Sequence, residues 1–473
     1  MNRLTRIGTF LSGLLLAACA VGPDYRPPET EAAQRFDNLE PEAYSAEAAV
    51  ADFWTLFEDE TLERLVDDAL AANHDLRIAL SRIAEARALR GETRLDLVPT
   101  VTAGAGYTDQ RFADAELAGT PFVARDQQLY DAGFDAIWEL DFFGRIRRAV
   151  EASNAELDAA EASLRDAQVI VTAEVTRTYF ELRGQQQQLD VARRNVANQS
   201  ETLELTEARL EAGRGTELDT SRAQAQLSGT LATIAPLEAA VARSIHRLGV
   251  LTGREPGALR DTLAPSRELP AIPRIAAVGD PSGLLRRRPD IRVAERELAA
   301  ATARIGVAVA DLFPRVSFTG SVGYVADSFD GLGDSGSDAY FIAPGISWAA
   351  FDLGRVRARI GGARARADGA LLQYEQTVLL ALEETENSLV THARARQRLG
   401  HAEDAARASS TAAGLARLRF EGGTSDFLQV LDAERSQLEA EDRLAQTRTE
   451  AATSLIAVYK SLGGGWENAP RPR

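Results

Sequence analysis

From Gly354 to Glu421 the chain runs 68 residues without a proline. Apolar or small residues fall at Val356, Ile360, Ala363, Ala367, Leu371, Tyr374, Val378, Ala381, Thr385 and Leu389. Their mean spacing, (389 − 356)/9 or about 3.67 residues, is the period of a straight helix rather than the 3.5 of a left-handed supercoil. At ~1.5 Å per residue such a helix spans roughly 100 Å. That is more than a single globular domain can use. The small residues of the stripe permit close packing, and the other faces, rich in Arg, Glu and Gln, stay wet.

The pattern occurs twice. "DLRIALSRIAEARALRGETRLDLVPTV", Asp75 to Val101, aligns without a gap on "DIRVAERELAAATARIGVAVADLFPRV", Asp290 to Val316, with 11 of 27 positions identical at an offset of 215. Beyond it the offset becomes 210. Trp138 then matches Trp348, Gly144-Arg145 matches Gly354-Arg355, and "RLEAG" at Arg209 matches "RFEGG" at Arg419. Alanine-rich helices imitate one another by chance, but Pro, Trp and Gly anchors do not, so the chain reads as an internal duplication. Each half predicts a helix, two short strands, a very long helix, a tight turn and a second long helix. The halves cover residues 51–260 and 261–462, with strands about 99–141 and 314–351. The turns fall near Gly213 and at Gly422-Gly423, and 463–473 form a tail.

Where the helices break, at Pro99 and Pro314, the period changes to two. Val101, Ala103, Ala105 and Tyr107 alternate with Thr and Gly, and Val316, Phe318, Val322 and Tyr324 alternate with Arg315, Ser317, Thr319 and Ser321. Tyr130, Phe134, Trp138 and Leu140 alternate with Asp131, Asp135, Glu139 and Asp141. A fourth strand is expected around Tyr340 to Phe351. Sixteen of the 30 aromatic residues lie in residues 99–143 and 313–351. Apolar-out, polar-in strands with aromatic ends predict a membrane β-barrel, whose pore would be lined by Asp131, Asp135, Glu139 and Asp141. A soluble sandwich is the alternative, but no second sheet is available to pack on. Four strands cannot close a barrel, and an open edge in lipid leaves backbone groups unpaired. The chain must therefore assemble with copies of itself. Two copies give eight strands and three give twelve, and the pattern alone does not choose.

The N-terminus sets the compartment. Arg3 and Arg6 precede an apolar run, Ile7 to Ala18, too short to span a membrane. It ends in "LAAC" at Cys19, the only cysteine of the chain. The segment resembles a bacterial lipoprotein signal, residues 1–18, cleaved before a lipidated Cys19. Acyl chains at ~0.8 kcal/mol per buried methylene hold such a protein on a bilayer. Ala20, in place of an aspartate, implies the outer rather than the inner membrane. Residues 19–50 read as an extended tether.

Chemistry is not indicated. Four histidines, His74, His246, His392 and His401, are scattered without metal-ligand spacing, so no metal or cofactor is expected. A net charge of −17 disfavours nucleic acid. "GLGDSGSD" holds a G-x-G-x-x-G at Gly331, Gly333 and Gly336 and a protease-like Asp334-Ser335-Gly336, but it lies between two strands and reads as a loop. "RRRPD", Arg286 to Asp290, reads as a helix start.

Taken in order, "LAACAVGPDY", "FWTLFEDETLERLVDDALAANHDLRIA", "RRRPDIRVAERELAAATARIGVAVADLFPRVSFTG", "FDLGRVRAR", "RLEAGRGTELD" and "RFEGGTSDFLQVLDAERS" resemble the TolC-like outer membrane efflux proteins, in their lipoprotein (NodT-type) branch. The resemblance covers nearly the whole mature chain. It implies an α+β membrane protein forming a homotrimer, with a twelve-stranded barrel in the outer membrane continued by a helical tunnel in the periplasm. It implies as partners a periplasmic adaptor and an inner membrane pump of the resistance-nodulation-division type, with no chemistry in this chain. By motif, Leu428 and Asp432 match residues that narrow the periplasmic aperture, Arg435 matches an arginine linking protomers, and Asp426 adds to the ring. Ser425 and Gln429 depart from relatives with an arginine and an aspartate there. A coiled-coil scaffold lipoprotein without a pore remains the competing reading. It accounts for helices and lipid but not for aromatic-ended strands in both halves.

Overall fold

The computed structural model describes residues 20–467 apart from 30–32, 41–42, 46, 48–49, 118–123 and 274. The signal segment and Cys19 lie outside the described residues. In chain order the helices are α1 (Glu60–Ala72), α2 (His74–Leu95), α3 (Arg145–Glu211), α4 (Glu217–Leu251), α5 (Arg260–Leu263), α6 (Pro281–Arg287), α7 (Pro289–Ala310), α8 (Leu353–Glu421) and α9 (Phe427–Ser461). The strands are β1 (Tyr44–Ser45), β2 (Thr100–Arg111), β3 (Asp126–Leu140), β4 (Ala276–Ala277), β5 (Arg315–Ala326) and β6 (Asp338–Ser347). The order α2-β2-β3-α3-α4 recurs as α7-β5-β6-α8-α9. α3 and α8 have 67 and 69 residues, about 100 Å each at 1.5 Å per residue.

The chain divides into two compact units. One holds residues up to 29, 82–161 and 293–375, and with them the sheet. Its strands run β2-β3-β5-β6, every neighbour antiparallel, with β2 and β6 as open edges. The helices keep the same order. Arg90 Nε of α2 donates to Asn154 Oδ1 of α3 at 2.5 Å, Ala155 of α3 packs on Ala299 and Ala300 of α7, and Ile305 of α7 packs on Ala363 and Ala367 of α8. The fourth strand ends at Ser347, short of the expected Phe351. The chain turns away at Trp348, whose indole Nε1 donates to the Leu312 carbonyl at 2.9 Å. Trp138 does the same to Leu97 at 3.0 Å.

The expected tether is packed on the helices. Val21 N donates to the Phe143 carbonyl at 3.1 Å, and Arg148 Nε donates to Val21 O at 3.1 Å. Tyr25 Oη donates to Glu295 Oε1 at 2.9 Å. Gly22, at φ +96°, presses on Gly306 so closely that a Cβ would come within 2.5 Å of the Gly306 Cα. "GPDY" is therefore a strap seated on α3 and α7. Further on, Phe36 and Tyr44 are buried, and β1 pairs in parallel with β4.

The second unit, residues 30–81, 162–292 and 376–473, carries the main core. Phe53, Phe57, Tyr179, Phe180 and Tyr459 fill it with the leucines of α1, α4 and α9. The "RRRPD" segment starts α7 with Pro289, as its composition predicts, but Arg288 is buried rather than solvated. All four long helices end in one motif. The residue after the cap is a glycine at positive φ: Gly213 at +72° and Gly253, Gly423 and Gly463 at +69°. Its N–H and the next one return to the last turn, as Gly213 N to Leu210 O and Arg214 N to Arg209 O. Glycine adopts that φ without a Cβ penalty, which is why the helices stop there.

Candidate functional site

The sheet presents two unlike faces. Strand register places Ala103, Phe134, Val322 and Tyr340 in one row, and Val101, Ala136, Gly320 and Ile342 in the next. This face is apolar on every strand, yet it is open: Phe134 is 57% exposed, Val322 60% and Tyr340 78%. An apolar face of four strands exposed to water is untenable and marks a surface covered by lipid or protein. Tyr107, Tyr130, Tyr324 and Tyr340 stand toward one end of it and Trp138 toward the other, with Trp348 just past the end of β6.

The opposite face carries the rows Gly106–Asp131–Val325, Gly104–Gly133–Gly323–Ala339 and Thr102–Asp135–Ser321–Phe341. Asp131 and Asp135 lie on it, with the carboxylate of Asp131 over Gly106, where a Cβ would stand 2.6 Å from its Oδ1. The other two expected pore acids are engaged. Glu139 is paired with Arg145 through two hydrogen bonds of 2.8 Å. Asp141 lies beyond the end of β3. It accepts from the backbone N–H of Ile146 at 3.0 Å and of Arg147 at 2.9 Å, so it caps α3 and is not a free wall charge. The alternation carried it into the row, but a helix N-terminus with orphan N–H groups holds it more strongly.

The turns at Gly213 and Gly422-Gly423 are tight and alike. After Gly213, Thr216 and Asp219 form a reciprocal capping box at the start of α4. After Gly423, Asp426 caps α9, its Oδ1 accepting from Gln429 N at 3.2 Å. Asp426 is thus a helix cap in the protomer. Leu428 is exposed, and Asp432 and Arg435 form an exposed pair at 3.1 Å, three residues apart on one helix. Such a pair contributes only about 0.2–0.5 kcal/mol, so both side chains remain available to a neighbour.

Behind this exposed row lies a residue that the sequence pattern did not single out. Glu434 is 5% exposed. It falls on the same face of α9 as Phe427, Val430 and Leu431, and those pack with Phe420 and Ala223. A carboxylate at apolar spacing was the available signal. Oε1 of Glu434 accepts from Arg417 Nη2 at 2.7 Å and from Thr202 Oγ1 at 3.0 Å.

No group of metal-ligating side chains occurs among the described residues, and among them no helix is long and apolar enough to cross a membrane. Gly333 and Gly336, both at positive φ, lie in the loop between β5 and β6.

Comparison with known proteins places this geometry. Residues 65–254 and 281–464 match the model of the outer membrane efflux protein family. The chain is 32% identical over 462 residues to the outer membrane protein OprJ of Pseudomonas aeruginosa, covering 98% of this chain and 96% of that one. It is 30% identical over 473 residues to nodulation protein T of Rhizobium leguminosarum bv. trifolii, covering 98% of each. The solved structure of the outer-membrane channel OprN superposes with a TM-score of 0.88 at 46% identity, over 95% of this chain and 100% of that one. Two repeated blocks, an apolar open-edged sheet and helices of some 100 Å thus coincide with a family match on both halves, and the chain belongs to the outer membrane efflux proteins.

Proposed function

We propose that the chain is the outer membrane exit duct of a tripartite efflux system, conducting substrates passively from a periplasmic adaptor and an inner membrane pump to the exterior. One observation carries the reading. The sheet β2-β3-β5-β6 and the helices α2-α3-α7-α8 form open ribbons in the same order, and each ribbon ends in free edges. Hydrogen-bonding edges cannot be left open in a bilayer, so both ribbons must close by repetition around one axis. Three copies give a barrel of twelve strands, continued by twelve helices as a periplasmic tunnel.

The apolar sheet face then meets lipid, and Asp131 and Asp135 face the pore. The turns at Gly213 and Gly422-Gly423 form the periplasmic tips that meet the adaptor. Leu428, Asp432 and Arg435 form the constriction, where three copies of Asp432 around an axis repel unless Arg435 or a cation compensates. Ala20 packs on Gly144, just before α3 and four residues past the end of β3, so a lipid on Cys19 would enter the bilayer that holds the strands.

The test is single-channel conductance in planar bilayers with native mass spectrometry. The expected result is a conducting trimer, and a protein that remains a monomer or dimer, or never conducts, would overturn the assignment. A scaffold lipoprotein predicts no conductance.

A further inference from the structure

Glu434 stands between Asp432 and Arg435 in sequence but points the opposite way. Asp432 and Arg435 have side chains 68% and 64% exposed, whereas Glu434 is enclosed by α3, α8 and α9. One of its oxygens accepts from both Arg417 and Thr202. The other, Oε2, is buried and meets no donor. Gln199, one turn before Thr202 on α3, is also buried with neither amide atom partnered. The apolar cluster of Phe420, Phe427, Val430 and Leu431 lies nearer the turn, with the Arg209 guanidinium 4.1 Å from the centre of the Phe420 ring.

A buried carboxylate is tolerated while its cation is present. Removing that cation leaves a charge that must be hydrated or protonated, whereas replacing both partners by apolar groups does not. Half of the Glu434 carboxylate is already without a partner, so its ties rest on Arg417 and on Thr202, whose single hydroxyl proton is shared with the Asn198 carbonyl at 3.0 Å.

We propose that Glu434 is a positioning residue of the periplasmic constriction. By tying α9 to α8 through Arg417 and to α3 through Thr202, it fixes the first turns of α9 and with them Leu428, Asp432 and Arg435. Loss of Arg417 alone opens the tip, because water must reach the bare carboxylate. The inference rests on the reading of Leu428, Asp432 and Arg435 as the constriction.

The experiment compares Arg417→Ala, Glu434→Leu and the double variant, with Asp432→Ala and Arg435→Ala as references. Single-channel conductance is read on purified trimers whose heat stability is measured in parallel. Arg417→Ala should raise conductance several-fold, and adding Glu434→Leu should bring it back toward the native value, a reversal that simple loss of packing does not produce. Thr202→Val, which removes one of the two donors, should open the tip by less. If Arg417→Ala yields no trimer, Thr202→Val and Glu434→Gln carry the comparison. There, opening by Thr202→Val with little change in Glu434→Gln supports the latch, and native conductance in Thr202→Val overturns it. A double variant as open as Arg417→Ala also overturns it. Native conductance in Arg417→Ala, with the references raised, removes the latch and leaves the constriction. Native conductance in every variant, with intact trimers, removes both.

Discussion

Arg288 Nη2 donates to Glu384 Oε2 at 2.8 Å, joining the residue before α7 to the middle of α8. The same guanidinium binds Asp290 through two hydrogen bonds and gives a third, at 2.6 Å, to the Ser461 carbonyl. Lys460 Nζ reaches the second Glu384 oxygen at 3.3 Å. Burial alone would raise the Glu384 carboxyl, but Arg288 and then Lys460 outweigh it and hold it below the usual range. Arg288→Ala removes a donor from two carboxylates and a carbonyl, although Lys460 keeps its contact with Glu384. With both carboxylates partly exposed, it should cost about 1–3 kcal/mol of stability, read as a lower midpoint in denaturant. Because the folded pKa of Glu384 is depressed, its contribution is present at neutral pH. It is lost as pH falls below the ordinary carboxylate value and through the folded one. Glu384→Gln should flatten that acid limb, and an unchanged limb would remove Glu384 from the account.

Asp166 titrates in the opposite sense. Burial, and then the charge of Asp290, push its carboxyl up to about 6. A raised pKa means the folded state holds a proton that the unfolded chain has released, so stability falls as pH rises from the ordinary value to about 6. Asp166→Asn should therefore stabilise the protein at pH 7.5 by about 1–2 kcal/mol, allowing for partial solvent screening. At pH 4 it should have little effect. Equal effects at the two pH values would contradict the shift.

Asp131 and Asp135, on the polar face of the sheet, should set ion preference. Asp131→Asn with Asp135→Asn should lower the cation-to-anion permeability ratio, measured as reversal potential in a salt gradient. Asp141→Ala should leave the ratio near native. Its cost, about 1 kcal/mol, should appear in stability, because that side chain caps a helix. A ratio that follows Asp141 rather than Asp131 and Asp135 would reverse the assignment.

The seam between copies can be anticipated from the seam within one. Ala155 of α3 packs on Ala299 of α7. The repeat offsets of 210 and 215 carry these to Ala365 of α8 and Ala84 of α2, both exposed in the protomer. Ala84→Cys combined with Ala365→Cys should give disulfide-linked dimers and trimers on a non-reducing gel. Neither single variant should do so. Trimers that never cross-link would place another face at the seam.

Lipidation is tested directly. Mass spectrometry of the N-terminal peptide should find Cys19 acylated and Met1 absent. Cys19→Ser should remove the lipid, while the strap residues Val21 and Tyr25 keep their seats on α3 and α7. An unmodified Cys19 would remove the second anchor from the description.

The long helices were the most legible part of the chain. The stripe from Val356 to Leu389 and the glycines at 213 and 423 mark α3 and α8 because period and stop signal are both local. Strand ends were less legible. Trp348 continues the alternation but is turned away by a hydrogen bond to Leu312, a distant partner that no local pattern contains. Asp141 and Asp426 read as wall or ring charges, yet each satisfies N–H groups at a helix start. Arg288 and Glu434 look like surface charges in sequence. Only packing reveals them as buried, because their partners come from other helices.

The free edges of β2 and β6 bear on inheritance as well as on assembly. A protomer that misfolds beyond its own seams is lost alone, whereas one that folds but cannot pair its edge is drawn into rings and spoils them. If rings are the trimers proposed above, a cell making native and edge-defective chains equally draws wholly native rings in roughly one case in eight. Lesions at the open edges should therefore behave as dominant in mixed cells, and lesions in the core around Phe180 and Tyr459 as recessive.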